Sequence, residues 1–310
     1  MRILAGWVAV GLAAGAETPW KLVWSDEFDG EQLDPEKWDY QIGNGYYAYD
    51  AQQWIAGWGN QELQYYTEEK RNVAVSDGEL VIRALKESLH GCGYTSGRLR
   101  SVRRDGKTLF SQKYGRFEFR AKLPTGQGIW PALWMLPDQG NPYGPWAASG
   151  EIDIMEARGQ EPGRILGTIH YGSRWPGNVH SGGEFEFPEG EGIDGWHVYA
   201  LEWEPGELRW YVDGENYSTK RFWWSSSKTL EGNVGQGAVP QSESDLNPWP
   251  APFDQPFHLV MNLAVGGQFL GNPDVSTAFP VEMRVDYVRV YEGPEKPVAP
   301  RGTGKLPFGG

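Results

Sequence analysis

Cysteine is nearly missing from this chain: Cys92 stands alone among 310 residues. No internal disulfide can therefore staple the fold, and no His/Cys spacing suggests zinc. Basic charge is also thin, with 28 Lys and Arg against 41 Asp and Glu, a formal net charge of −13. Nucleic-acid affinity rests on clustered Lys and Arg, so this balance disfavours a phosphate-binding surface, and no basic patch in the sequence rescues that reading. Helical periodicity is scarce and no internal repeat is evident. Beyond the N-terminus no apolar segment suggests a membrane anchor. Residues 1–16, "MRILAGWVAVGLAAGA", set Arg2 before an apolar run from Ile3 to Ala13 and end on Ala14-Gly15-Ala16. That order is the pattern of a secretory signal peptide with Glu17 as the mature start, and the run is too short to span a bilayer comfortably. A buried N-terminal helix or strand is the alternative. The expectation is a secreted protein, extracellular or periplasmic.

What the chain has in excess is Trp (16), Gly (42) and Pro (22). Gly and Pro punctuate many short strands. Trp combines apolar area with an N–H, which suits either a core or the flat face of a sugar. "RFEFRAKL" alternates, with Phe117, Phe119 and Ala121 on one face and Glu118, Arg120 and Lys122 on the other. "NVAVSDGELVIRA" and "LRWYVDGENYS" read as hairpins around Asp77-Gly78 and Asp213-Gly214. "HVYALEW" and "PFHLVMNLAV" are almost continuously apolar, as strands buried on both faces would be. "VEMRVDYVRVYEG" supplies a last strand. The predicted fold is all-β: one domain over residues 17–292, a sandwich of two antiparallel sheets. Residues 220–254 read as a long loop whose Trp223, Trp224 and Trp249 favour folding over something. Residues 293–310 read as a disordered tail.

The segment "SGEIDIMEARG" holds Glu151, Asp153 and Glu156 among Ile152, Ile154 and Met155. Strict alternation puts Glu156 on the wrong face. A β-bulge at Met155 or a neighbour restores it, so that all three acids share one face. Crowded carboxylates cannot all ionise freely, and one of them becomes an acid near neutral pH. Two glutamates so placed can reach the separations used by retaining or by inverting glycosidases, and the spacing alone does not choose. A solvated strand face is the alternative, disfavoured by the apolar residues opposite and by a thin supply of nearby positive charge, Arg158 alone. In "GIWPALWML", Trp130 and Trp134 share a strand face and form either a sugar-stacking platform or, for Trp134 especially, core.

"GEIDIMEARG" resembles the signature of glycoside hydrolase family sixteen, E-x-D-x-x-E or E-x-D-x-E. "LVWSDEFDG", "GWGNQELQYYT", "YTSGRLRS", "YGRFEFRAKLP", "GIWPALWMLP", "GTIHYG", "PFHLVMNLAVGG" and "VDYVRVY" are similar to family segments in family order, over roughly residues 20–292. The resemblance implies a β-jelly roll of two curved sheets with a substrate cleft on the concave face. The extra residue before the last Glu, with "WGNQELQYYT" and "NLAVGG", resembles the laminarinase branch, endo-acting on β-1,3-glucans. It implies Glu151 as nucleophile, Asp153 as its electrostatic helper and Glu156 as general acid/base. His170 matches a family histidine beside the acids, with a structural His as the alternative. Arg98 matches a cleft-lining position, with a surface charge as the alternative. Asn60 and Glu62 look like substrate-side polar residues, though "WGN" equally suits a turn.

Many family members carry a structural calcium away from the cleft. The matching positions are Glu27, Gly78 through its carbonyl, and Asp286, a hard-oxygen set suited to calcium. No cofactor is expected for catalysis. The expected partner is a β-glucan polysaccharide, with no nucleic acid or membrane, and the expected state is a monomer. Two positions depart from the family pattern: Leu85 stands for a common Arg, and Phe269 for a common Trp. They leave open the preference among β-1,3, mixed-linkage and branched glucans. A non-catalytic glucan-binding protein, a transglycosylase and an agarase-like enzyme are the alternatives on the same fold.

Overall fold

The structure, a computed structural model, describes residues 20–48, 51–228 and 240–308. The signal-peptide reading of residues 1–16 lies outside them. Among the described residues the strands build two large sheets. The eight-stranded one runs β17 (Glu215–Lys220), β16 (Glu207–Val212), β15 (His197–Glu204), β10 (Gly115–Lys122), β19 (Val281–Glu292), β7 (Glu79–Ala84) and β6 (Val73–Ser76), with β1 (Lys21–Asp26) also on β19. The seven-stranded one runs β14 (Asn178–Glu186), β13 (Arg164–Gly172), β12 (Glu151–Glu156), β11 (Ile129–Pro137), β18 (Phe257–Val265), β9 (Arg98–Arg100) and β2 (Asp39–Tyr40). A hairpin, β3 (Gly45–Ala48) with β4 (Gln53–Ala56), and a parallel pair, β5 (Gln64–Tyr66) with β8 (Tyr94–Ser96), stand beside them. The architecture is the β-jelly-roll sandwich expected from the sequence.

Side-chain alternation sorts the layers. In β10, Phe117, Phe119 and Ala121 are buried while Arg116, Glu118 and Arg120 lie on the outer face. The opposite wall of the core comes from Leu133 and Met135 of β11, Ile152 of β12, Ile169 of β13, and Met261 and Leu263 of β18. Full burial of such a side chain stabilises by about 1.5–3 kcal/mol. β18 is buried along its whole length, as its unbroken apolar run predicts. β15 is not: Val198, Glu202 and Glu204 are only half buried on the outer face, so it is a one-sided strand rather than one covered on both faces. Both expected hairpin turns are present. Asp77-Gly78 (φ 58° and 77°) and Asp213-Gly214 (φ 48° and 85°) take the left-handed pair of angles that a two-residue turn between twisted strands requires.

Two expectations need correction. Trp223 and Trp224 are core residues, and Trp249 packs on Trp223 at 4.6 Å between ring centroids. Indole burial, not cover over a ligand, explains them, and residues 229–239 of that loop lie outside the described residues. The tail is ordered over residues 293–308 rather than disordered. Ala299 bonds Pro205 through its N–H (2.8 Å) and accepts from Trp249 Nε1 (2.8 Å), Gly302 donates to the Arg221 carbonyl (2.6 Å), and Leu306 packs on the core. The polar composition hid a strap whose backbone groups are satisfied by the body of the domain.

Candidate active site

The free face of the seven-stranded sheet gathers the acids, and a bulge is the reason. Between β11 and β12 the register runs Leu133↔Met155 and then Trp134↔Asp153, and between β12 and β13 it runs Asp153↔Thr168 and then Glu156↔Leu166. One extra residue sits in β12, at Ile154–Met155. Both of these neighbours consequently point into the core. Glu151, Asp153 and Glu156 then share the other face, as the sequence predicts.

Cross-strand pairing lays down the surroundings. Glu151 faces His170, Glu156 faces Ala132, Ala132 faces Asn262, and Asn262 faces Arg98. Each glutamate is held by an indole: Trp130 Nε1 donates to Glu156 Oε1 at 3.0 Å, and Trp146 Nε1 donates to Glu151 Oε2 at 3.0 Å. His170 Nε2 lies 3.3 Å from Asp153 Oδ2 and 3.8 Å from Glu151 Oε1. One ligand atom from each of Glu151, Asp153 and His170 fits within 4.8 Å of the others, a tight grouping of two carboxylates and an imidazole.

The electrostatics follow from burial. Burial and the Asp153 charge push the Glu151 carboxyl up to about 7, against the pull of His170 and Arg98. Burial and Asp153 push Glu156 higher, to about 8. For His170 burial opposes the charged ring, but contact with Asp153 and the charges of Glu151 and Glu156 win and raise it to about 10. A cationic His170 beside one glutamate, with a second glutamate that keeps its proton more readily, is an acid/nucleophile pair in embryo.

The remaining sequence-predicted residues gather on the same face. Trp134 is half buried there and donates to Asn262 Oδ1 at 2.7 Å, so it is not a core residue. Arg98 is buried, not a surface charge. Its guanidinium sits 4.4 Å from the Trp58 ring and 4.7 Å from the Trp134 ring. Glu62 is buried and accepts from Asn60 Nδ2 (3.1 Å), Gln64 Nε2 (2.7 Å) and the Tyr66 hydroxyl (3.3 Å). Asn60 thus faces a buried carboxylate as well as ending a tight turn. Burial raises the Glu62 carboxyl above its ordinary range, with Arg98 pulling it back. Arg158 does not neutralise the acids. It lies 4.2 Å over Phe269, whose ring packs tilted against Trp130 at 4.7 Å and so fills the place of the commoner Trp. Sequence reasoning missed Trp146, Trp58, Tyr66, Gln64 and Asn262. Trp146 had one signal, an indole in the turn-rich stretch just before Glu151.

Glu27, Gly78 and Asp286 sit far from this face, on the eight-stranded sheet. β7 and β1 follow one another along the edge of β19 opposite β10, ending at the pairs Leu80↔Val285 and Asp26↔Val288 on the two sides of Asp286 in sequence, which brings the three oxygen-bearing positions to one stretch of sheet. Each carboxylate already has a cation: Glu27 is bidentate to Arg289 (2.7 and 2.9 Å) and Asp286 accepts from Arg120 (2.6 Å). The donor types suit calcium, but the arginines compete for both carboxylates.

The family model described as "Glycosyl hydrolases family 16" matches residues 58–226. The chain is 47% identical over 283 residues to the Glucan endo-1,3-beta-glucosidase A1 of Niallia circulans, covering 87% of this chain and 38% of that protein's length. It is 44% identical to the Beta-glucanase of Rhodothermus marinus, covering 94% of this chain and 92% of that one. The X-ray structure of the laminarinase from Rhodothermus marinus superposes with a TM-score of 0.69 at 42% identity, covering 89% of this chain and 99% of that one.

Proposed function

The chain belongs to glycosyl hydrolases family 16, and from that premise we propose that it is an endo-acting hydrolase of β-1,3-glucans that retains anomeric configuration. The observation that carries the reading is the bulged strand β12, which turns Glu151 and Glu156 to one face with an indole N–H on each. Glu151 attacks the anomeric carbon while Glu156 gives its proton to the departing glycosidic oxygen. A glycosyl ester forms on Glu151 as the C–O bond to the leaving sugar breaks. Glu156, now anionic, takes a proton from water, which attacks the same carbon and releases Glu151. Two inversions give retention. Asp153 and His170 act through Glu151: the imidazolium favours its anion, and Asp153 holds the imidazolium. Trp130 and Trp134 offer stacking faces along the floor, and Arg98, Asn60 and Glu62 form its polar margin.

Laminarin supplies the test. Proton NMR of the first-formed reducing ends should show the β-anomer, and early products should span a range of lengths. Initial release of the α-anomer overturns the roles of both glutamates, and an uncut polymer overturns the substrate. The same time course separates hydrolysis from transglycosylation, whose products grow longer than the substrate pieces. Presence of all three acids stands against a binding-only protein. A structural calcium at Glu27, Gly78 and Asp286 is a separate proposal, supported by their shared place on the eight-stranded sheet, as are export and a monomeric state.

A further inference from the structure

The bulge that turns Glu156 toward Glu151 has a support that comes from the other sheet. Between the pairs Asp153↔Thr168 and Glu156↔Leu166, Ile154 and Met155 of β12 stand opposite Gly167 of β13 alone. Both bulged side chains point into the core. Such a bulge disrupts the ladder locally, and a backbone group there is open to a partner from outside the sheet.

Trp210 of β16 is that partner. Its fully buried indole crosses the core from the eight-stranded sheet, and Nε1 donates at 2.9 Å to the Asp153 carbonyl, the last backbone oxygen before the bulged pair. Gly167 keeps the space open. A β-carbon there would stand 2.7 Å from Trp210 Nε1 and 2.5 Å from the Tyr217 hydroxyl, closer than packed atoms approach. The indole is itself held. β16 and β17 pair Trp210↔Ser218 and then Tyr211↔Asn216, so Tyr217 is an extra residue. The Asn216 side chain closes this second bulge by donating to the carbonyls of Trp210 (3.0 Å) and Ser218 (3.2 Å). Two bulges, one in each sheet, thus meet across the core at Gly167.

We propose that Trp210 is a positioning residue for the reaction: through the Asp153 carbonyl it sets the step of the bulged strand, and so the placing of Glu156 against Glu151. It acts through β12 and not on the sugar. The inference rests on the retaining reading of the two glutamates above. The competing account is an ordinary buried indole, its ring filling the core and its N–H merely satisfied. Trp223 is such an indole: it is equally buried, and its Nε1 donates at 2.8 Å to the Pro250 carbonyl instead of to β12.

Two variants test this from opposite sides. Trp210→Phe removes the N–H and keeps a ring in the core, while Gly167→Ala keeps the N–H and crowds it off the carbonyl. Both are compared with wild type and with Trp223→Phe on laminarin and on dinitrophenyl β-laminaribioside. Dinitrophenolate departs without a proton, so breaking its bond needs no general acid, whereas the sugar alkoxide leaving from laminarin does. In both variants kcat/KM on laminarin should fall about ten- to a hundredfold, the cost of an ångström of misplacement, while the dinitrophenyl glycoside stays within about threefold of wild type. Trp223→Phe should lower Tm and leave both substrates near wild type. Laminarin kcat/KM within about twofold of wild type in both variants overturns the proposal. So does an equal loss on the two substrates, or the same split in Trp223→Phe, because each marks a general loosening of the core. Wild-type failure to cut laminarin would defeat the reading of function instead. Crystal structures of the two variants then decide the inference: a Glu156 carboxylate displaced from Glu151 upholds it, and an unmoved one overturns it.

Discussion

The two faces of the sandwich treat the same side chain in opposite ways. On the outer face of the eight-stranded sheet, Glu202 stands in register with Arg116 and Arg209. It accepts from Arg116 Nη1 (2.9 Å), Arg209 Nη2 (2.8 Å) and the Tyr211 hydroxyl (2.8 Å). Glu204 and Glu207 oppose each other directly, yet Arg209 bonds both, with Lys296 and Arg221 in support. On the free face of the seven-stranded sheet, Glu151 and Glu156 have indole N–H donors and a shared neighbour, Asp153, but among the described residues no arginine is hydrogen-bonded to either. Exposure does not explain the contrast, because the Glu151 and Glu202 side chains are 17% and 13% exposed. Partners do. Burial would raise the Glu202 carboxyl, but Tyr211 and Arg209 overcome it and hold it below its ordinary range. Burial and Asp153 leave Glu151 and Glu156 above theirs. A carboxylate supplied with guanidinium is a structural group, and one denied it is ready for proton transfer.

The sharpest break of this comparison is kinetic. Glu151→Gln and Glu156→Gln should each lower kcat on laminarin by about a thousandfold or more while glucan affinity stays close to wild type, because both groups act in the transition state. Turnover within an order of magnitude of wild type for Glu151→Gln would remove it as nucleophile.

A smaller effect is read in the pH profile. Activity needs Glu151 ionised and Glu156 protonated, so kcat/KM should fall below about 7 and above about 8, the limbs belonging to the coupled pair. His170→Ala removes the cation that favours the Glu151 anion, and the lower limb should climb by about half to one pH unit. A lower limb that stays in place would show that His170 does not act through Glu151.

Stability should respond with opposite sign on the two faces. Glu156 binds its proton more tightly folded, at about 8, than its ordinary value of 4.5. Folding stability from this group is therefore present at acid pH and is lost as pH rises through about 8. Glu156→Gln should match wild type near pH 4 and melt about 2–4 °C higher at pH 9. Glu202→Gln strips a partner from Arg116 and Arg209, and should cost about 1–3 kcal/mol at pH 7 with kcat unchanged. Chemical denaturation and thermal melts of both variants check the pair, and the same sign for both would end the contrast.

The smallest expected effect concerns calcium on the outer sheet. Exhaustive chelation should lower Tm by a few degrees, restored by calcium, since a ligand of the folded state stabilises by mass action, about 2–4 kcal/mol well above its Kd. An unchanged melting curve would leave Glu27 to Arg289 and Asp286 to Arg120 alone.

Much of this was legible from residue order, because strand period, turn chemistry and a one-residue phase slip are local properties. "RFEFRAKL" carries its buried face in its alternation, "DG" carries its turns, and "EIDIME" carries the bulge, since only an extra residue reconciles three acids with one apolar face. Pairing between distant segments was not legible. Nothing local tells Trp146 from any loop indole, or shows that Arg98 lies between Trp58 and Trp134, or that Asn262 bridges Trp134 and Tyr66. Composition also misled twice: a polar tail became a strap because the carbonyl and N–H of Ala299 found partners, and of three tryptophans thought to cover a ligand two became core and the third packed against them. The sequence by itself determined which residues alternate, where the chain turns and which strand bears the acids. Tertiary structure alone decided which carboxylates receive an arginine and which do not, because charge compensation depends on what stands across the sheet, and that neighbour comes from anywhere in the chain.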